Sequence, residues 1–342
     1  MFLDDSNNIR TRIPIPTDIY SWQPPADMDH PLSPFQEQLI LSVYPAGSRI
    51  LSARFHRMVR LPGPIWVHVT LPDGNERAVI LRMDQRIGGV EREAVILPAL
   101  ARLGLPVPVV LTDRVVDPTR PAWGAMTILN VLPGQDLLAY SWDAPQPALE
   151  RAMRLVLDGV ARLHALTDQL VRDLVADKLP RITPLDELQE VIKRDGPWLD
   201  EQLFTDAIER LLPIVSAIDT PLVFSSGDYN PGNFLFDGEQ LTGFIDFTGA
   251  CFEDPHIGMA KYWTCSWYPL DKAGIVERYL EEQQLSFAEF APRLAVRCLW
   301  TLQREIAVSG GEDILVEDEY ESHADYRRRI VTLLERAMEA IG

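Results

Sequence analysis

The chain has 342 residues, 46% of them hydrophobic, and 32 Lys+Arg against 50 Asp+Glu give a formal net charge of -18. This composition predicts a folded protein of two lobes or domains, and the acidity argues against a nucleic-acid partner, which requires a basic surface. No run reaches the roughly 18 apolar residues of a membrane span; Met1-Phe2-Leu3-Asp4-Asp5 lacks the basic-then-apolar pattern of a leader; and Cys251, Cys265 and Cys298 form no CxxC pair, so reduced thiols in the cytoplasm are expected and a cysteine metal site is not.

In chain order, residues 1–35 are rich in Pro and Asp and read as an irregular arm, followed by a helix over Phe35 to Tyr44. Strands are predicted from Ser52 to Asp84, with Ile65 to Leu71 turning at Pro72-Asp73-Gly74-Asn75 into Arg77 to Met83. Val90 to Leu103 has helical spacing, although Pro98 sits inside it. Val109 to Val116 and Ala125 to Val131 read as two more strands, and Pro133-Gly134 breaks the chain. Beyond it helical patterns dominate. Ala148 to Thr167 is amphipathic, with Leu149, Met153, Val156, Val160 and Leu163 on one face, and further helices are expected near 184–195, 198–218, 272–284, 288–308 and 323–341. A β island over Leu222 to Phe247, turning at Asp237-Gly238, interrupts them. Alternating βαβ units and a GxxxxGK[ST] phosphate loop are both missing from the text. The chain therefore divides into an arm and helix (1–50), a small β-rich lobe (51–132) and a helical lobe with an inserted hairpin (133–342).

The β island carries the chemistry. Asp228 and Asn233 form a D-x-x-x-x-N pattern on a loop punctuated by Pro231-Gly232, and Asp246 follows the apolar strand Leu241 to Ile245 at the end of the hairpin that begins at Asn233. Phosphoryl transfer needs such a set. One carboxylate orients the acceptor hydroxyl and takes its proton, while an amide oxygen and a second carboxylate hold Mg²⁺ on the nucleotide phosphates. The bland reading is that Asp228, Asn230 and Asn233 only make turn hydrogen bonds; the recurrence of Asp246 where the chemistry needs it weighs against that.

Ser226-Gly227-Asp228-Tyr229-Asn230-Pro231-Gly232-Asn233 resembles the His-Gly-Asp-x-His-Pro-Gly-Asn motif of the aminoglycoside/choline phosphotransferase family, a branch of the protein-kinase-like fold. Ile245-Asp246-Phe247 followed by Glu253-Asp254-Pro255 resembles that family's Ile-Asp-(Trp/Phe)…Gly-Asp-Pro segment. The resemblance implies an α+β, bilobal fold with Asp228 as the base and Asn233 and Asp246 as the Mg²⁺ ligands. It also implies ATP or GTP as donor and a basic residue on the third strand of the small lobe, here Arg82, reaching the phosphates. Its expected helix partner is Glu93, with Glu91 as second choice, against the simpler reading of a solvated strand-end Arg and an exposed helix Glu. The hinge Ile128-Leu129-Asn130-Val131-Leu132-Pro133-Gly134 is expected to meet the purine edge through its backbone. The sequence departs from the pattern in three places: Ser226 and Asn230 replace the histidines, and Gly258 replaces an Asp that often follows Asp-Pro by three residues. Those changes keep a second hypothesis open, a nucleotide-binding or regulatory protein without turnover. A carboxylate-pair hydrolase is a third.

The remaining features are read more plainly. His164 is read as a structural hydrogen bonder, His256 as a cap at a helix start, and Asp254 as a helix anchor or loop support. Residues 1–132 hold 13 basic and 13 acidic side chains, so the other 19 and 37, and with them the whole imbalance, fall in residues 133–342. Either that half is acidic for solubility or it attracts a cationic small-molecule acceptor. The run Glu312-Asp313…Glu317-Asp318-Glu319-Tyr320-Glu321…Asp325 is an acidic solvated loop or a source of carboxylates for such an acceptor. Tyr262-Trp263…Trp267-Tyr268 is core or an aromatic wall for a quaternary ammonium. ATP against GTP, and the oligomeric state, stay open at this point.

Overall fold

The computed structural model describes residues 32–55, 63–83, 88–121, 124–173, 175–193, 202–265, 267, 269–303 and 323–342. The chain forms two compact units. One takes the chain up to Gln135 together with Leu235–Ala250; the other takes Asp136–Phe234 and the chain from Cys251 onward.

The first unit opens with α1 (Pro34–Ser42), where Ser33 Oγ accepts from Gln36 N and the Gln36 side chain accepts from Ser33 N, a reciprocal cap with Pro34 in the first turn. Strands β1 (Arg49–Phe55), β2 (Ile65–Thr70) and β3 (Glu76–Met83) follow, then α2 (Gly89–Arg102), β4 (Val115–Val116) and β5 (Ala125–Asn130). They make an antiparallel sheet in the order β1-β2-β3-β5-β4. Period-two alternation sends Ile65, Val67 and Val69 of β2, Val79, Leu81 and Met83 of β3, and Met126 and Ile128 of β5 into one core with Ile40 of α1. Truncating any of these to Ala would cost about 2–5 kcal/mol.

Helix α2 runs unbroken through Pro98. That residue lies on the exposed side, while Ile96, Leu97, Ala99 and Leu100 are buried, so packing holds the turn that has lost a backbone hydrogen bond. The strand predicted over Val109 to Val116 is a correction: only Val115–Val116 forms a ladder, with a lone bridge from Val110 to Leu129. The cause is local, since Thr112 Oγ1 takes the Ile128 N–H at 3.0 Å and Asn130 Oδ1 takes the Val109 N–H at 2.5 Å, so side chains occupy positions a ladder would use. Further on, β6 (Gln135–Asp136) joins the hairpin sheet described below.

In the second unit, α3 (Leu137–Ser141), α4 (Gln146–Ala165) and α5 (Thr167–Arg172) precede β7 (Arg181–Ile182), α6 (Pro184–Ile192), α7 (Gln202–Ser216) and β8 (Val223–Ser225). Strands β9 (Phe234–Phe236) and β10 (Leu241–Phe244), which from Leu235 onward belong to the first unit, form a hairpin in the order β10-β9-β6, turned by Asp237, whose Oδ1 accepts from the N–H groups of Glu239 and Gln240 at 3.0 Å each. Then come β11 (Cys251–Glu253), α8 (Ile257–Thr264), α9 (Ile275–Gln283), α10 (Phe287–Thr301) and α11 (His323–Ile341). β11 lies between β7 and β8 in a small sheet. Helix α10 is buried on every side from Phe290 to Leu299 and packs against α6, α7, α8 and α11, which makes it the axis of this unit. The short helices α3, α5 and α8 and the two-to-three-residue strands β6, β7 and β11 are additional to the predicted elements. No disulfide joins Cys251, Cys265 or Cys298, and no described helix is long and apolar enough to cross a membrane.

Candidate active site

In the first unit, Arg82 sits near the end of β3 and its Nε donates to Glu93 Oε2 at 3.1 Å. Its Nη2 donates to Asp246 Oδ1 at 2.5 Å. Glu93, on the second turn of α2, is 1% exposed, and its other oxygen accepts the Phe247 N–H at 3.1 Å. Burial alone would lower the Arg82 pKa, but the Asp246 and Glu93 carboxylates more than offset it and the net direction is up. Burial pushes the Glu93 carboxyl up, and the Arg82 charge opposes it. The strand-to-helix pairing is therefore buried and specific. Glu91, the second choice, is half-exposed and pairs with Arg114 instead.

Asp246 follows β10 in a left-handed backbone conformation, φ 59°, which L-residues adopt at a cost and which Asp tolerates better than most. Thr248 holds it there: its Oγ1 donates to Asp246 Oδ1 at 2.6 Å, while Arg92 Nη1 donates to Thr248 O at 2.9 Å.

In the second unit, the loop after β8 is organised by short side-chain-to-backbone bonds. Ser226 Oγ donates to Asp228 O at 3.1 Å and accepts from Asp228 N at 3.4 Å. Asp228 Oδ1 accepts the Asn230 N–H at 3.2 Å, and Asn230 Oδ1 accepts the Gly232 N–H at 2.8 Å. Asn233 Nδ2 donates to Asp228 O at 3.2 Å, which leaves its amide oxygen as an acceptor on the other side. Ser226 and Asn230, the two departures from the histidine pattern, thus hydrogen-bond within the loop.

Beneath this loop lies a buried polar layer. His164 Nε2 and Tyr229 OH are 2.9 Å apart, and Tyr262 OH donates to Tyr229 O at 2.7 Å. Burial, with a smaller push from His256, lowers the His164 pKa from 6.5 to about 4, so the ring is neutral. Lys261 Nζ donates to Gly227 O at 2.5 Å. Asp254 is buried and takes three hydrogen bonds from Arg293 of α10, at 2.8, 3.1 and 3.2 Å, besides accepting the His256 N–H at 2.9 Å. It anchors both the start of α8 and the central helix. His256 occupies the N-cap position of α8 without making a side-chain capping bond; its Nδ1 instead lies 2.9 Å from Tyr279 OH.

Among the described residues no group of three or more His, Cys, Asp or Glu side chains could hold a metal ion. Mg²⁺ does not ask for one: it takes one or two protein oxygens and completes its shell with phosphates and water. The Asp246 carboxylate, whose side chain is 36% exposed, and the Asn233 amide oxygen are hard oxygen donors of that kind. Their chemistry fits Mg²⁺ and does not fit Zn²⁺.

Asn130 ends β5 with its side chain and N–H committed locally, the former to Val109 N and the latter to Val109 O at 3.2 Å. Tyr262 and Trp263 are buried and Trp267 meets Tyr262 edge-on with centroids 4.7 Å apart, which agrees with the core reading of these aromatics. Tyr268, Glu312, Asp313, Glu317, Asp318, Glu319, Tyr320, Glu321 and the phosphate-covering segment around Arg60 lie outside the described residues. The residues that sequence reasoning passed over are Lys261, Glu253 and Thr248. Of these only Glu253 had a signal, its place in the quoted segment Glu253-Asp254-Pro255.

Comparison with known proteins agrees with this chemistry. The sequence profile of the phosphotransferase enzyme family, APH, matches residues 67–294, more than half of the chain. No curated protein matches the sequence. Among solved structures, a thermostable variant of aminoglycoside phosphotransferase APH(4)-Ia in ternary complex with AMP-PNP and hygromycin B is similar at a TM-score of 0.62 and 16% identity, over 88% of this chain and 98% of that one. The GDP and kanamycin complex of APH(2")-IIIa aligns at 0.56 and 16%, over 89% and 98%, and LicA in complex with AMP at 0.55 and 14%, over 88% and 97%. At such identities the structures speak to the fold alone, a mixed α+β, protein-kinase-like one with a β-sheet N-terminal region and a helical C-terminal region. Together with the profile match, they establish that this chain belongs to the phosphotransferase enzyme (APH) family and is a small-molecule kinase.

Proposed function

We propose that the protein transfers the γ-phosphate of ATP or GTP to a hydroxyl of a cationic, amine-bearing small molecule in the cytoplasm, with Asp228 accepting the hydroxyl proton. The observation that carries the reading is the Arg82 guanidinium held between Glu93 and Asp246. A fixed, fully charged fork of this kind grips phosphate oxygens, and it is tied to the carboxylate assigned to the metal. Asn233 and Asp246 would hold Mg²⁺, which when bound neutralises charge on the nucleotide phosphates.

The chain's own residues then divide the work. Asp228, its backbone fixed by Ser226 and Asn233, presents a carboxylate to the acceptor hydroxyl and removes its proton as the oxygen attacks. Arg82 orients the phosphates, and Glu93 holds Arg82. The backbone of the hinge 128–134 meets the purine edge; since the Asn130 N–H is spent on Val109, the carbonyls and the residues after β5 supply that contact. The amine preference draws on the 19 basic and 37 acidic residues of positions 133–342 and on hygromycin B and kanamycin as ligands of structurally similar proteins. The alternative without turnover draws no support from a profile match to phosphotransferases.

The test is a pair of variants. Asp228→Asn should lower turnover by about 10²- to 10⁴-fold while nucleotide affinity stays near wild type. Asp246→Ala should abolish the Mg²⁺ dependence of nucleotide binding, with Asn233→Ala weakening it less. Wild-type turnover in Asp228→Asn, or an unchanged Mg²⁺ response in Asp246→Ala, would refute the corresponding role.

A further inference from the structure

Gly258 opens one face of α8. A Cβ placed there would lie 2.4 Å from Tyr229 Cε2 and 3.2 Å from Glu253 Oε1. The space beside this position, where the resembling motif often carries Asp, is taken by the Tyr229 ring and by a carboxylate arriving from β11. Glu253 is 3% exposed, and its Oε1 has no hydrogen-bond partner. An ionisable group sequestered like this needs an opposite charge nearby. One turn along from Gly258, on the same face, Lys261 Nζ donates to Gly227 O at 2.5 Å. Next to it Tyr262 OH donates to Tyr229 O.

The acceptor of that lysine bond is informative. The Gly227 carbonyl belongs to the peptide unit that leads into Asp228. The Gly227 N–H is held as well, donating to Ser225 Oγ at 2.9 Å, and Gly227 sits at φ 79°, a conformation open to glycine and strained for other residues. Both sides of Gly227 are therefore fixed, one by β8 and one by the α8 ammonium. Burial pushes the Glu253 carboxyl up, and the Lys261 charge is the largest influence opposing it, followed by the Ser225 hydroxyl.

We infer that Lys261 and Glu253, its buried counter-charge, are a positioning pair for Asp228: the carboxylate at the end of β11 supports the ammonium of α8, which fixes the Gly227–Asp228 peptide. Lys261 acts through the loop and touches no reacting atom. The inference rests on the reading of Asp228 as the proton acceptor.

A double-mutant cycle on Mg²⁺-dependent nucleotide hydrolysis without acceptor, using whichever of ATP or GTP the wild type consumes, tests it. Lys261→Met should lower kcat on the order of 10²-fold with the nucleotide KM within about twofold, the size of loss that follows small misplacement of a reacting group. Lys261→Arg, which keeps the charge, should recover most of that loss, and Glu253→Gln should show a smaller loss in the same direction. Asp228→Asn combined with Lys261→Met should be no slower than Asp228→Asn alone, because a residue that acts only through Asp228 has nothing left to act on. Losses that multiply in the double variant, or wild-type kcat in Lys261→Met, would overturn the inference. Should Lys261→Met fail to fold, Lys261→Gln and Glu253→Gln carry the same cycle. Wild-type hydrolysis in Asp228→Asn would overturn the reading of Asp228 and the inference with it. A loss there with none at Lys261 overturns the inference alone.

Discussion

Replacing Glu93 separates the two jobs its carboxylate performs. One oxygen receives Arg82 Nε at 3.1 Å and the other the Phe247 N–H at 3.1 Å. Glu93→Gln keeps the shape and one acceptor. If the amide oxygen stays on Phe247 N–H, the NH₂ faces the guanidinium and one charge-assisted bond is lost, about 1.5–3 kcal/mol. Arg82 is not stranded, because Asp246 remains at 2.5 Å, so the full cost of about 3–5 kcal/mol for an uncompensated buried charge does not apply. Glu93→Ala removes both acceptors and leaves the Phe247 N–H unpaired, which adds about 1–3 kcal/mol. The expected order of stability is wild type, Gln, Ala, with each step at least about 1 kcal/mol, read from urea unfolding followed by tryptophan fluorescence. Nucleotide affinity should fall in the same order as Arg82 loses its anchor, while the affinity of Asp228→Asn stays near wild type. Equal urea midpoints for Gln and Ala would refute the two-acceptor account, and unchanged nucleotide affinity in both would refute Arg82 as a phosphate ligand held by Glu93.

His164 is neutral in the folded protein, with its pKa lowered to about 4. The unfolded chain takes up a proton below about pH 6.5 that the folded one refuses, so stability must fall as pH drops from about 6.5 to about 4, by on the order of 3 kcal/mol; His164→Gln, compared by denaturant unfolding at both ends of that window, should lose this component. Asp254→Asn leaves Arg293 buried with a neutral partner and should cost about 3–5 kcal/mol in unfolding experiments while nucleotide affinity is unchanged. With a cationic acceptor, kcat/KM should fall as salt rises from low to physiological strength, where the Debye length is about 8 Å; a salt-independent kcat/KM measured across that range would count against charge steering.

Much of the sheet and most of the long helices were legible because their burial is one-sided. Val67 and Val69 alternate with His68 and Thr70, and Val156, Val160 and Leu163 recur along α4. Asp228, Asn233 and Asp246 stand out in the sequence as candidates because metal and proton chemistry restricts the side chains that can serve. What escaped was set by tertiary contact. The stretch over 109–116 has strand composition, but Thr112 and Asn130 take ladder positions with side chains, which periodicity does not register. Helix α8 is buried nearly throughout, so it offers no amphipathic contrast. Lys261 was passed over because its meaning lies in the carbonyl it meets, 34 positions earlier in the chain.

The contrast between two glycines has a practical side. At Gly258 the Tyr229 ring and the Glu253 carboxylate leave no room for another atom, whereas a Cβ at Gly238, in the exposed β9–β10 turn, would meet nothing within 4 Å. Extra residues placed after Asp254 would rotate α8 by about 100° each and carry Lys261 and Tyr262 off the loop they hold. The Asp237–Gln240 turn can instead absorb a lengthened segment at an entropic cost that grows only slowly with length. That makes it the place to splice in a fluorophore-labelling peptide and report on the hairpin between Asn233 and Asp246 while the enzyme is at work.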